Sequence, residues 1–173
     1  MAALCLTAAA PAYAASKSSG VLQCVPFARQ VSGIEIRGNA WTWWSQAEGR
    51  YQRGDDPKVG SVMSFQRTSH MPFGHVAMVS KIVSEREVLL THANWSYRGG
   101  IERNVRAIDV SPAGDWSQVK VWFAPTGDLG SSVYPVNGFI YPNGDGNFAP
   151  SLDRQPSLEL DLSDLTLETG IDE

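Results

Sequence analysis

Residues 74–95, with the sequence GHVAMVSKIVSEREVLLTHANW, carry the pattern that decides the fold. Two runs within this stretch, 74–84 and 87–95, are rich in β-branched and aromatic residues, and the charged segment SERE connects them tightly. This pattern predicts two antiparallel strands joined in a hairpin. Three further runs have the same composition, namely 61–66, 101–110 and 118–125. The sequence therefore predicts an antiparallel sheet of about five strands.

Two helices are predicted before these strands. The run LQCVPFARQVS at 22–32 fits a short helix that ends at Gly33, with Pro26 in the first turn, where its missing N–H costs nothing. In GNAWTWWSQAEG, residues 38–49, Asn39 is a good N-cap and apolar residues follow it at helical spacing. Helices followed by antiparallel strands predict the α+β fold class.

The composition of the chain excludes several classes of protein. The length of 173 residues fits about one domain, and a hydrophobic content of 43% is enough for a packed core. The formal net charge of −4 argues against a nucleic-acid partner. No apolar run reaches the roughly 18 residues that a membrane helix needs, so we expect no stable membrane insertion.

The two ends of the chain differ from its middle. Residues 1–14, MAALCLTAAAPAYA, resemble the apolar part of a signal peptide, although an ordinary apolar helix is the alternative. The positive n-region is missing, so we expect the natural start to lie upstream. Residues 126–142 form a Gly/Ser/Pro-rich extension, and residues 143–173 contain eight acids and one base. We expect this last segment to be a mobile acidic tail that could contact an unidentified partner.

The number of cysteines changes if the signal peptide is removed. Cleavage after Ala14 would remove Cys5 and leave Cys24 as the one remaining cysteine. A lone thiol in an oxidising compartment has no disulfide partner and is a candidate reactive group, whereas a buried inert cysteine is the alternative. The start of a helix favours the reactive thiol, because the helix N-terminus lowers the pKa of a thiol.

Two of the three histidines are candidates to assist this thiol. The predicted hairpin brings His75 and His92 together if a bulge or a short stagger aligns them on one face. His70, in the polar segment QRTSHM, is expected at the surface. An imidazole can take the proton of Cys24 and pass it to a leaving amine, and a third polar group, here His92 or Asn94, fixes its orientation.

The candidate catalytic group therefore comprises Cys24, His75, His92 and Asn94. Backbone N–H groups at the helix start, together with the side chain of Gln23, could bind the oxyanion. A Cys-His-His zinc site is an alternative use of the same residues, but no clear fourth ligand accompanies them in the sequence.

Five motifs in order resemble the CHAP family, the cysteine- and histidine-dependent amidohydrolases/peptidases of papain-like fold. The match covers roughly residues 20–124. The motifs are LQCVPFAR, GNAWTWW, PKVGSVMSF, GHVAMVSKI and THANW. The first resembles the nucleophile block of the family, and the fourth resembles its histidine block.

The resemblance implies a papain-like catalytic domain at residues 20–125 that needs no metal cofactor. It implies that Cys24 is the nucleophile, that His75 is the general base and acid, and that Gln23 lies near the oxyanion. The implied substrate is peptidoglycan, cut either as an N-acetylmuramoyl-L-alanine amidase or as an endopeptidase, and the implied location is periplasmic or extracellular, at the cell wall. Many relatives carry Glu or Asp where this chain has His92, so we expect His92 to orient His75, with Asn94 as the alternative. A carboxylate accepts the same hydrogen bond, so Glu is expected to replace His92.

Two other functions fit the same sequence. An NlpC-type cell-wall endopeptidase commonly uses Cys-His-His, which His92 would complete. A catalytically silent wall-binding module would use tryptophans instead of the thiol. The candidates for a substrate groove are Trp41, Trp44 and Trp95. The sequence leaves open which peptidoglycan bond would be cut.

Overall fold

The structure, a computed structural model, describes residues 20–142 of the chain. Eight strands and two helices form this part. The strands are β1 (Gln52–Gly54), β2 (Val62–Phe65), β3 (His75–Ser84), β4 (Glu87–Ala93), β5 (Ile101–Asp109), β6 (Gln118–Phe123), β7 (Asp128–Leu129) and β8 (Tyr134–Tyr141). The helices are α1 (Cys24–Ser32) and α2 (Trp43–Gln46), and single 3-10 turns lie at Ala40–Thr42 and Ala124–Thr126.

All strand pairs are antiparallel, and the strand order is β1-β8-β2-β3-β4-β5-β6-β7. A second pairing between β8 and β6 closes the sheet on itself in the manner of a barrel. The predicted α+β class is confirmed, because the described residues form one large antiparallel sheet and a few short helices. The prediction of about five strands was wrong, because the described residues contain eight.

The five predicted strands are all present, and the three missed strands are the short β1 and β7 and the long β8. β8 was missed because Pro135 and Gly138 are residues that argue against a strand. Pro135 stands near the strand start, and Gly138 has φ +131°, with the carbonyl oxygen of Gly54 only 2.6 Å from where a Cβ would be. The glycine therefore permits a close approach between β8 and β1. The sheet thus continues beyond residue 125, the predicted end of the catalytic domain.

The core has two halves, one on each face of the sheet. Successive side chains along β2 and β3 point to opposite faces of the sheet. Met63 and Ala77 pack inside the closed sheet, whereas Val62 and Val76 pack against the helices. Trp43 of α2 is fully buried in the helical half. α1 packs over β3, and the thiol of Cys24 at the start of α1 meets the backbone N–H of Val76, the second residue of β3.

The predicted helices are present, although the second is shorter than its pattern suggests. α1 ends at Gly33, which has φ +75°, as predicted from the glycine. Asn39 precedes the 3-10 turn that leads into α2, but its side chain makes no capping hydrogen bond. No helix among residues 20–142 is long and apolar enough to cross a membrane. The predicted signal peptide and the acidic tail lie outside the described residues.

Candidate active site

Cys24 is the first residue of α1, and Gln23 before it has extended backbone angles. The first N–H groups of a helix have no partner within the helix and point towards its N-terminal end. The thiol faces the backbone N–H groups of Val25 and of Val76, the residue after His75. Burial raises the pKa of the Cys24 thiol above its ordinary value, and these N–H groups offset only part of that effect.

His75 and His92 are adjacent, as the sequence predicted. Between the turn of the β3–β4 hairpin and the pair Met78–Thr91, the pairing register shifts twice. Continuing that register by one residue sets His92 opposite Ala77, so His75 is its diagonal neighbour on the same face. The Nε2 atom of His75 lies 3.0 Å from the Nδ1 atom of His92, a hydrogen-bond distance.

Gly74 fixes the start of β3. Its φ is +67°, and a Cβ at this position would lie 2.8 Å from the backbone nitrogen of Trp41. That nitrogen donates a 3.0 Å hydrogen bond to the carbonyl of Phe73. Only glycine permits both the backbone angle and the close approach, so the turn before His75 is held against the 3-10 turn at Ala40–Thr42.

Both imidazoles are neutral near pH 7. Burial lowers the pKa of His92 to about 3. Burial, and secondarily the neighbouring His92, also places the pKa of His75 well below its ordinary value. Since the thiol pKa is raised, the resting site pairs a neutral thiol with a neutral imidazole.

Glu102 of β5 is a further group at this site. It pairs with His92 across the β4–β5 register, and its Oε2 atom lies 3.6 Å from His92 Nε2. That separation is longer than a hydrogen bond, and because His92 is neutral the contact is not an ion pair. The side chain of Glu102 is only 9% exposed. Ser96 holds it with two hydrogen bonds, from its backbone N–H to Oε2 at 3.0 Å and from its hydroxyl to Oε1 at 2.7 Å.

Asn94 contacts Gln23 rather than His75. Its Nδ2 donates a 2.9 Å hydrogen bond to Gln23 Oε1, and its Oδ1 accepts one of 2.8 Å from the N–H of Gly99. The Nε2 of Gln23 donates to the carbonyl of Val21 at 3.1 Å, and none of the described residues accepts its second amide hydrogen, which can donate to another acceptor. Asn94 therefore positions Gln23 beside the thiol.

A cavity of about 570 Å³ joins these groups, and its lining includes Cys24, His75, Gln23 and Asn94. Trp95 also lines it and packs against the rings of both histidines, with centroids 4.8 Å from His75 and 5.5 Å from His92. The rest of the lining is mostly apolar. Its exposed large apolar side chains are those of Phe73, Phe123 and Val133.

The other groove candidates lie elsewhere. Trp44 lines a separate cavity. The guanidinium carbon of Arg53 lies 4.8 Å from the centroid of the Trp44 ring. Trp41 is 41% exposed beneath the guanidinium of Arg67, and the lining of the Cys24 cavity does not include it. His70 is exposed, as predicted, but it does line the cavity.

The sequence did not predict Glu102 or the two exposed aromatic residues of the cavity, Phe73 and Phe123. Phe73 stands in a loop and Phe123 at the end of β6, where no periodic pattern marks them. Glu102 was visible only as one charge in the strand IERNVRAIDV, and its partner depends on the β4–β5 register. Among residues 20–142, no group of three or more His, Cys, Asp or Glu side chains could hold a metal ion.

A family model and a curated relative each match part of this chain. The family model of the CHAP domain matches residues 14–94, the part that contains Cys24, His75, His92 and Asn94. A curated relative, the probable autolysin SsaALP of Staphylococcus aureus (strain NCTC 8325 / PS 47), is 30% identical over 84 residues. The alignment covers 44% of this chain, and the chain spans only 30% of the length of that relative. The resemblance predicted from the sequence is therefore confirmed: residues 14–94 of this chain match the CHAP domain family.

Proposed function

We propose that the protein is a thiol-dependent hydrolase of peptide or amide bonds in peptidoglycan. The observation that carries this proposal is the shared cavity of Cys24 and His75, with His92 Nδ1 held 3.0 Å from His75 Nε2. A thiol, a base and a group that orients the base are the parts that nucleophilic catalysis needs.

The proposed reaction begins from the neutral pair. His75 Nε2–H donates to His92 Nδ1, which leaves His75 Nδ1 free to take the proton of the thiol as sulfur attacks the carbonyl carbon. The thiol and the ring are not hydrogen-bonded to each other within the described residues, and such contacts often tighten only when substrate binds.

The attack creates charge that the site must stabilise. The carbonyl oxygen becomes an oxyanion beside the N–H groups at the start of α1 and the free amide hydrogen of Gln23. The imidazolium of His75 then gives its proton to the leaving nitrogen, and a thioester to Cys24 forms. His75 next takes a proton from water as it attacks the thioester carbon; the C–S bond then breaks, the acid product leaves, and the proton on His75 returns to the sulfur of Cys24.

The cavity suggests an uncharged substrate segment. No Asp, Glu, Lys or Arg lines it within residues 20–142, and Phe73, Phe123 and Val133 form an apolar rim. The name of the curated relative, a probable autolysin, supports a cell-wall substrate. Both an N-acetylmuramoyl-L-alanine amidase and a peptidoglycan endopeptidase fit these features.

An NlpC-type endopeptidase is the second candidate, because the contact between His75 and His92 supplies its Cys-His-His arrangement. The chemistry at the thiol would be the same, and the two candidates differ in the bond that is cut. Mass spectrometry of the muropeptides released from purified peptidoglycan distinguishes them by the new terminus.

Several finer expectations stay proposals. The fold is proposed to be papain-like, with the catalytic domain at 20–125 supplemented by the extension at 126–142. Export by the signal peptide at 1–14 would place the enzyme in the periplasm or outside the cell, at the wall. The tail at 143–173 is proposed to contact an unidentified partner and to be dispensable for hydrolysis of soluble wall fragments.

The test of the function is Cys24→Ser, which is nearly isosteric. This variant is expected to keep the melting temperature of the parent protein and to lose hydrolysis of purified peptidoglycan. Iodoacetamide should inactivate the parent protein, with the label found on the peptide that contains Cys24, and chelators should not. Wall binding without hydrolysis or labelling would indicate a silent binding module, and activity in the Ser variant would exclude thiol chemistry.

A further inference from the structure

We propose that Glu102 is a positioning residue that fixes the tautomer of His92 and, through it, the tautomer of His75. This inference rests on the proposed function, in which His75 Nδ1 must be unprotonated to receive the proton of Cys24. Glu102 lines no part of the cavity and acts from behind the two rings.

The first step of the argument concerns His92 Nε2. This atom is buried and has no hydrogen-bond partner within the described residues, and Glu102 Oε2 lies 3.6 Å from it. A carboxylate can only accept, so it favours the tautomer of His92 that carries its hydrogen on Nε2. The other nitrogen, Nδ1, is then a bare acceptor.

The second step follows from the contact between the rings. A bare Nδ1 on His92 requires the hydrogen of His75 to be on Nε2, 3.0 Å away. Neutral imidazole carries one hydrogen, so Nδ1 of His75 is left as the basic nitrogen. The opposite tautomer of His92 would reverse both rings and protonate the nitrogen that must act as the base.

The third step concerns how Glu102 is held. The backbone N–H of Ser96 donates to the same oxygen, Oε2, that faces His92, and the hydroxyl of Ser96 donates to Oε1. The backbone of Ala124 donates to the same hydroxyl at 3.0 Å and ties the arrangement to the end of β6. Glu102 is thus preorganised beside His92.

Few other titratable groups bear on the pair. Cys24 and His70 line the same cavity as His75, and among the described residues Glu102 of β5 is the charged side chain beside His92. Trp95, which packs on both rings, carries no charge.

The experiment replaces Glu102 by Met, which keeps the length but removes the strong acceptor, and by Gln. In Glu102→Gln the backbone N–H of Ser96 requires an oxygen at the Oε2 position, so the acceptor facing His92 is kept while the charge is lost. Glu87→Gln is the matched control, because it removes one acid from the same strand pair at its far end, where Glu87 pairs with Arg106.

Two readouts are measured on the full chain. Nitrogen-15 NMR of the imidazoles reports the tautomers without substrate, so this test holds even if the substrate has been misidentified. We expect the parent, the Gln variant and the control to show hydrogen on Nε2 of both rings, and the Met variant to show the reversed tautomers. We expect kcat to fall at least about tenfold in the Met variant, with KM unchanged, and to stay within about threefold of the parent in the Gln variant.

The proposal fails if a folded Met variant keeps the parent tautomers and kcat, or if the Gln variant loses as much as the Met variant, since the charge and not the acceptor would then act. Glu102→Ala replaces the Met variant at the same two readouts if the latter does not fold. Parent tautomers as expected in a protein that cleaves no peptidoglycan would reject the proposed function and leave the assignment of Glu102 intact.

Discussion

The variant His92→Leu tests directly whether His92 holds the ring of His75 in place. The substitution removes the acceptor that lies 3.0 Å from His75 Nε2 and leaves a buried donor without a partner. An unsatisfied buried donor costs about 1–3 kcal/mol, and each ~1.4 kcal/mol that the transition state loses is tenfold in rate. We therefore expect kcat to fall about tenfold to a hundredfold, with little change in KM, because His92 does not line the cavity.

His92→Gln is the matched rescue. Its amide oxygen can accept from His75 while its amide nitrogen donates to Glu102, which reproduces both functions of a neutral imidazole. The sequence alone suggested Glu as the replacement. The structure argues against it, because a carboxylate at position 92 would lie against that of Glu102 in a buried site, where two like charges cannot both remain ionised.

The assay measures initial rates on a soluble muropeptide across a range of pH, beside the melting temperature of each variant. We expect the order of kcat to be the parent, then Gln, then Glu and Leu. A folded Leu variant with kcat within twofold of the parent would refute the reasoning. A large loss in Asn94→Ala beside it would transfer the orienting role to Asn94, whose present contacts are Gln23 and Gly99.

Three further predictions follow from the described residues. Gly74→Ala should lower the free energy of unfolding by about 1–3 kcal/mol, and Gly33→Ala should lower it by less. Both glycines have positive φ, but of the two only a Cβ at position 74 would meet neighbouring atoms within 4 Å. Thermal melts of the two variants measure the difference. The pKa values of His75 and His92 are lowered in the folded state, so the unfolded chain binds more protons at acidic pH and the free energy of unfolding should fall as the pH drops below about 6.5. Each histidine contributes up to about 1.4 kcal/mol per pH unit, and for His92 this continues down to pH about 3. Denaturant titrations at several pH values measure the slope. Phe73→Ala should raise KM several-fold at constant kcat and constant melting temperature, because this side chain is 66% exposed at the cavity rim.

Most of the sheet and both histidines could be predicted from the sequence because the information is local. The runs at 74–84 and 87–95 have strand composition, and a hairpin is the simplest connection between them. The contact between His75 and His92 follows from that hairpin once its bulges are allowed for. β8 could not be predicted, because apart from a short pairing with β6 its partners are β1 and β2, more than 70 positions earlier in the chain, where local propensity has no influence.

The site divides in the same way between local and distant information. Cys24 at a helix start is a local feature, and so is the proximity of the two rings, but which nitrogen of each ring carries the hydrogen is decided by Glu102 on a third strand. Its place beside His92 depends on a register shift between Leu90 and His92, which no composition rule specifies. Local patterns can therefore identify which groups could react, whereas the direction of proton transfer between them depends on a residue that only the paired sheet brings into contact.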